Sequence, residues 1–489
     1  MLFNSLDFAL FFPVVFLLYW AFSGNIRSRN FFLTLASYFF YGWWDWRFLF
    51  LIAISSAVDF LVGRRLDQET QKYKRQLLLW LSISVNIGAL VYFKYANFFV
   101  ESFVSAFRLF GKEIEASTLD IILPVGISFY TFQTLSYTID IYRKKIHHTK
   151  DAVAFFAFVS FFPQLVAGPI ERASHLLPQF MKKHHFDYQA VRSGMILVFF
   201  GLFKKMVVAD NVAMVVNHVY EDPSLFGGLS VIIATLCFAI QIYCDFSGYS
   251  DIAIGLARTM GFDLMKNFDS PYFSRSITEF WRRWHISLST WFRDYVYIPL
   301  GGSRHGKGKT YLNLMTVFLV SGLWHGAAWT FVIWGGIHGC IIVAEKALGK
   351  QLHQLKAGFK SVRLGWLHAT SSVVLTFAIV LAAWVFFRAT NVDHATAIFD
   401  QSWRFYLQDF SVDWFPGLDF SDDKFIAMAV FVVALMFFEL FHRDYGFSQR
   451  LLKSPVYVRW PSYLLIVFVI VIFGVYGEDQ ISEFIYFQF

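Results

Sequence analysis

The stretch SITEFWRRWHISLSTWFRDYVYIPLGGSR (276–304), with SGLWHGAAWTFVIWGGIHG (321–339) close behind it, decides how this chain is read. The first part is charged and aromatic; the second is apolar yet carries His325 and His338. Ser276 and Glu279 have the S-x-x-E spacing of a capping box, which predicts a helix start. Trp281, Trp284, Leu288, Trp291 and Tyr295 then fall at i, i+3, i+7, i+10 and i+14, one stripe of an amphipathic helix. Arg282 and Arg293 come round together on another side, about three turns apart. Pro299, Gly301 and Gly302 stop the helix. Tryptophan on one side and arginine on another suit a helix lying at a membrane–water boundary, and ordinary packing against neighbouring helices fits the same stripe as well. His285 sits at the edge of the stripe.

His325 lies inside a run of apolar and small residues that begins near Leu312. An ionisable side chain at membrane depth is a functional candidate by default. Desolvation favours neutral imidazole, which can accept a proton; the competing reading is a histidine satisfied by one neighbouring carbonyl. His338, on one continuous helix, would stand about 220° from His325, so the two would not share a face. That makes His338 a packed or hydrogen-bonded histidine before it is a site-shaping one. DFSGYSD (245–251) sets Asp245 and Asp251 beside an apolar run, where carboxylates either mark a proton or ion path or bond helix ends around Gly248. Arg282, Arg283 and Arg293, flanked by Trp281 and Trp284, could hold the phosphates of a donor, or simply be drawn to anionic lipid. HGKGKT (305–310) lacks the first glycine of a phosphate-binding loop and reads as a basic cytoplasmic turn. A G-x-S-x-G elbow is absent, which leaves a serine-hydrolase mechanism without support.

Composition sets the class. Of 489 residues 57% are hydrophobic, 20% aromatic and 16% charged, with a mean hydropathy of +0.49. Soluble domains carry about 25% charge, so this is a polytopic membrane protein of one domain, 1–489. Apolar segments recur at 7–22, 31–46, 48–63, 77–99, 119–140, 190–208, 229–247, 312–323, 325–345, 366–388, 425–441 and 461–476, about eleven or twelve crossings. The segment 151–170, broken by Pro163, Gly168 and Pro169, is the re-entrant candidate. The first apolar segment, with no basic residue before Arg27, reads as a retained helix. Basic loops at 64–76, 143–145 and 346–363 predict cytoplasmic faces. The stretch 391–423, with seven Asp and Arg404 as its only Lys or Arg, predicts an outer face. The net charge of +7 belongs to those loops and not to nucleic-acid binding. Cys237, Cys244 and Cys340 form no spaced motif, so neither a disulfide framework nor a metal site is indicated.

WHISLSTWFRDYVYIPLGG followed by SGLWHG resembles the membrane-bound O-acyltransferase family, and within it the bacterial branch that serves polysaccharide O-acetylation. GISFYTFQTLSYTIDIYR (126–143), FFPQLVAGPIER (161–172), DFSGYSDIAIG (245–255) and the terminal YFQF (486–489) extend the resemblance over nearly the whole chain. It implies an all-α integral membrane protein, with re-entrant and interfacial helices around a central funnel, in the bacterial inner membrane. The family's key histidine corresponds to His325, and its second position to His285. The expected activity is transfer of an acyl group, acetyl above all, from acetyl-CoA or an acyl-phosphopantetheine carrier to an extracytoplasmic polysaccharide, with no permanently bound cofactor. A separate extracytoplasmic acetyltransferase is the expected partner. D-alanyl transfer to teichoic acid and a polytopic transporter are the alternatives.

Overall fold

A computed structural model gives the structure and describes every residue except 113, 115–118, 120, 350, 352–364, 406–414, 416, 419–421, 442–445, 477–483 and 486–489. The terminal YFQF and most of the 346–363 loop therefore lie outside the described residues, as does much of 391–423. Among the described residues all regular structure is helical. In chain order the helices are α1 (Leu6–Phe22), α2 (Ile26–Asp45), α3 (Leu49–Gln68), α4 (Lys72–Leu90), α5 (Ala96–Leu109), α6 (Ile127–Tyr142), α7 (Ala152–Ser160), α8 (Phe162–Leu165), α9 (Ala173–Phe180), α10 (Tyr188–Leu202), α11 (Asp210–Glu221), α12 (Gly228–Thr259), α13 (Ile277–Arg283), α14 (Ile286–Phe292), α15 (Gly306–His325), α16 (Trp329–Ala347), α17 (Gly365–Arg388), α18 (Val392–Ser402), α19 (Asp422–Phe441), α20 (Gly446–Lys453) and α21 (Val456–Phe473).

Among the described residues, seven helical stretches are long and apolar enough to cross a membrane. The first, Ile26–Gln68, holds two 20-residue helices, each about 30 Å long. Several segments expected to cross are helical but fall outside that set: α1 has 17 residues, and in the 119–140 segment helix begins only at Ile127. At 151–170 the expected break is present, with α7 ending at Ser160 and Pro163 opening the one-turn α8. Both pieces are buried over most of their length.

The chain divides into two compact units, Met1–Val198 with Ser250–Met265, and Phe199–Tyr249 with Lys266–Phe489. In the first unit a polar knot ties α3, α4 and α6. Asp59 accepts from Ser82 Oγ (2.5 Å), Asn86 Nδ2 (2.8 Å) and Thr138 Oγ1 (3.2 Å), and Ser55 donates to Asn86 Oδ1 (2.7 Å). Buried polar groups at this depth are tolerable only when satisfied by one another. Arg75, from the basic loop expected in the cytoplasm, is itself buried. Its guanidinium donates to Leu66 O, Glu69 O, Ile141 O and Tyr142 O, so it closes the orphan carbonyls of α3 and α6.

A second knot lies at α9. His175 Nδ1 bonds the buried carboxylate of Glu171 (2.8 Å), whose other oxygen accepts from Met265 N–H (2.5 Å). His175 Nε2 stands 3.7 Å from Asp263. Asp263 and Glu171 together push the imidazole up to about 10; Glu171 holds the firmer bond, since Asp263 is farther and mostly exposed. A raised folded value means that the stabilisation is complete below the free histidine value of about 6.5 and is lost as pH rises towards about 10. His175→Gln is therefore expected to lower the Tm of purified protein at pH 6 and to have little effect near pH 10. An equal loss at both pH values would refute the charged pairing.

Candidate active site

The residues singled out in 276–339 all lie in the second unit. Ser276 caps α13 as its spacing predicts, its Oγ accepting from Glu279 N–H at 3.0 Å. Glu345 of α16 adds a cap from outside, its carboxylate accepting from Ile277 N–H (2.7 Å), Thr278 N–H (2.9 Å) and Thr278 Oγ1 (2.6 Å). A carboxylate at a helix N-terminus satisfies orphan donors and opposes the dipole.

The single amphipathic helix expected from the tryptophan stripe is not what forms. The helix stops at Arg283 and restarts at Ile286, because His285 adopts a left-handed conformation with φ +44. A non-glycine residue there costs roughly 1–2 kcal/mol, and the neighbouring segment 267–269 holds it. Asn267 O accepts from Ile286 N–H (2.9 Å), and Asp269 N–H donates to Arg283 O (2.9 Å). The stripe is buried all the same. Trp281, Trp284, Leu288 and Trp291 are at most 8% exposed, so it packs in protein and does not rest on a membrane surface. With the helix broken, Arg282 and Arg293 no longer share a helical side. Arg282 is exposed, and Arg293 pairs with its neighbour Asp294 at 2.8 Å. Arg283 pairs with Glu279 (2.5 Å) through Nη2, while its Nη1 is buried without a hydrogen-bond partner among the described residues. It lines an open cleft of about 670 Å³ with Arg275, Ser276, Thr370 and the apolar Phe273, Val373 and Leu440.

His325 is the last residue of α15 and 3% exposed. The chain turns at Gly326–Ala328 and returns as α16, so His325 and His338 sit on two helices and the one-helix angle does not apply. Small residues make this hairpin possible. A Cβ on Gly322 would collide with the Phe331 carbonyl and one on Gly335 with the Phe318 carbonyl, while one on Gly326 would enter the Phe331 ring. Backbone contact of this kind is how helices associate where lipid removes the hydrophobic drive between them.

Around His325 the hairpin gathers rings: Trp324 at 4.8 Å, Trp334 at 5.0 Å and Phe387 at 5.3 Å between centroids. Trp334 stacks on Trp384, 5.9 Å away, and also meets His338 at 5.1 Å. Trp324 lies 6.0 Å from His285, so this one indole has both candidate histidines as neighbours. His285 is fully buried, and burial holds its imidazole well below the ordinary histidine range, in the neutral form. Trp281 donates its indole N–H to His338 Nδ1 at 3.3 Å, the hydrogen-bonded role expected for His338.

Asp245 and Asp251 do not cap a helix end, since both lie within the 32-residue α12. Asp245 instead completes a buried triad. Lys205 Nζ stands 2.9 Å from its Oδ1 and 2.8 Å from Asp210, and its Oδ2 accepts from Ile485 N–H (2.8 Å). It therefore holds the backbone at Ile485. Asp251 is buried and belongs to the first unit. HGKGKT is not a turn: Gly306 to Thr310 form the first turn of α15. Asn267, Lys205, Trp324, Trp334, Trp384 and Phe387 carried no sequence signal of their own, because each stands alone in a stretch that reads as apolar span or as loop.

The family model described as MBOAT, membrane-bound O-acyltransferase family, matches residues 38–387. The chain belongs to the membrane-bound O-acyltransferase family. It is 40% identical over 464 residues to a probable alginate O-acetylase AlgI of Azotobacter vinelandii, covering 93% of this chain and 87% of that protein. It is 36% identical over 428 residues to a peptidoglycan O-acetyltransferase of Helicobacter pylori, covering 81% and 79%. A teichoic acid D-alanyltransferase of Streptococcus thermophilus is more distant, 26% identical over 320 residues, or 59% of this chain and 75% of that one. The protein is thus a multi-pass membrane-bound O-acyltransferase.

Gly335→Val should destabilise the hairpin by at least the about 1–3 kcal/mol typical of overpacking. Gly336→Ala should be tolerated, since its nearest neighbour, Leu319, would stand 3.9 Å away. Thermal unfolding of the two purified variants checks this; equal Tm values would contradict the packing.

Proposed function

We propose that the protein acetylates an extracytoplasmic polysaccharide, with His325 as general base and acetyl carried in as a thioester. The observation that carries the reading is a buried histidine, at a helix end, enclosed by tryptophan and phenylalanine rings. A hydroxyl is a weak nucleophile until a base removes its proton. His325 takes that proton as the acceptor oxygen bonds the thioester carbonyl carbon. The C–S bond then breaks, and the imidazolium returns the proton to the leaving thiolate. The aromatic wall excludes the water that would otherwise hydrolyse the donor. His285, which like His325 has Trp324 as a neighbour, orients the reacting groups. The similarity to alginate and peptidoglycan O-acetylating proteins favours acetyl and a glycan acceptor over D-alanyl transfer.

The donor is acetyl-CoA or an acylated phosphopantetheine carrier. Of the three arginines considered for its phosphates, Arg283 is the best supported, because it lines the open cleft together with the exposed Arg275. The basic loops face the cytoplasm, the protein resides in the inner membrane, and a separate extracytoplasmic acetyltransferase completes the transfer to polymer.

His325→Ala should insert and fold, since alanine suits a helix end beside Gly326, yet lose about 10²–10⁴-fold in acyl transfer from a labelled acetyl thioester. Turnover within a few-fold of the parent would remove His325 from the chemistry. A collapse of Tm in step with activity would make it a structural histidine.

A further inference from the structure

The Asn267 side chain lies where no catalytic reading had put a residue. It is fully buried, 18 residues before His285, and its Oδ1 receives three bonds: His285 Nδ1 at 3.0 Å, Ser287 N–H at 3.3 Å and Ser287 Oγ at 2.9 Å. The backbone N–H of Ser287 can only donate. It therefore fixes which end of the amide faces it, and that end is the carbonyl oxygen. An oxygen facing His285 Nδ1 requires that nitrogen to carry the ring proton. Neutral imidazole has one proton, so Nε2 is left as a lone pair.

We infer that Asn267 is a positioning residue that sets the tautomer of His285, so that His285 can grip only a proton donor. Resting on the reading of His285 as part of the active site, this narrows its task. Nε2 can accept from the acceptor hydroxyl. It cannot donate to the thioester carbonyl or to the oxyanion that forms there. The backbone belongs to the same device, because Asn267 O holds Ile286 N–H, and so the left-handed turn, from below. Phe246, 4.7 Å away, and Trp324 pack on the imidazole and bring no charge to it.

The tautomer can be read without turnover. Full-length protein carrying ring-¹⁵N histidine is compared with His285→Gln, whose missing signals assign His285. Protonated Nδ1 with bare Nε2 is expected in the parent; protonated Nε2 would overturn the inference. Activity gives the second arm. Asn267→Asp keeps an oxygen for all three donors and should retain acyl transfer within about tenfold. Asn267→Leu, which offers none, should lose about 10²-fold, at the lower end of what general acid–base groups contribute. Equal activity in the two, with equal Tm, would also overturn it. If the tautomer is as stated but His285→Gln turns over normally, Asn267 still sets the ring and it is the catalytic role of His285 that fails.

Discussion

Backbone contact between α15 and α16 is the constraint on which the active site depends. Gly322 and Gly335 let each helix meet a carbonyl of the other, and any side chain there would separate them. That contact brings Trp334 and His338 of one helix beside His325 and Phe318 of its partner. His325 is thereby buried among aromatic rings at the end of its helix. The same contact aims Glu345 at the start of α13, so the hairpin also fixes where the second histidine segment begins.

The second constraint is the break at His285. A straight helix would have carried the tryptophan stripe past the site. The left-handed residue turns α14 away from α13, and the 267–269 segment holds the turn in place. Strain of this kind persists only where the surroundings over-determine it, and it gathers at functional positions. Asn267 serves both ends of the device, the backbone turn and the ring.

Much of this was legible in the sequence. The helical membrane class followed from hydropathy and the start of α13 from Ser276 and Glu279; resemblance singled out His285 and His325, which the fold buries beside one indole, Trp324. Periodicity failed at two places for one physical reason: it assumes an unbroken helix. Arg282 and Arg293 looked aligned, and His325 and His338 looked opposed, only because a kink at 285 and a turn at 326–328 cannot be seen in a hydrophobic pattern. Asp245 looked like a helix-end group because its true partners, Lys205, Asp210 and Ile485, are distant in sequence. Trp384 and Phe387 face the site from a span whose composition is that of any lipid-facing helix. What a stripe buries against, and which nitrogen carries a proton, are tertiary facts.

The central claim is that His285 and His325, both neighbours of Trp324, work as one unit. A double-mutant cycle tests it most directly. Acyl-transfer kcat is measured for the parent, His285→Ala, His325→Ala and the double variant, with Tm recorded for each. Groups that act together are strongly non-additive, so the double variant should be about as slow as the slower single one. Losses that simply multiply, at unchanged Tm, would mean two independent histidines and would contradict the account.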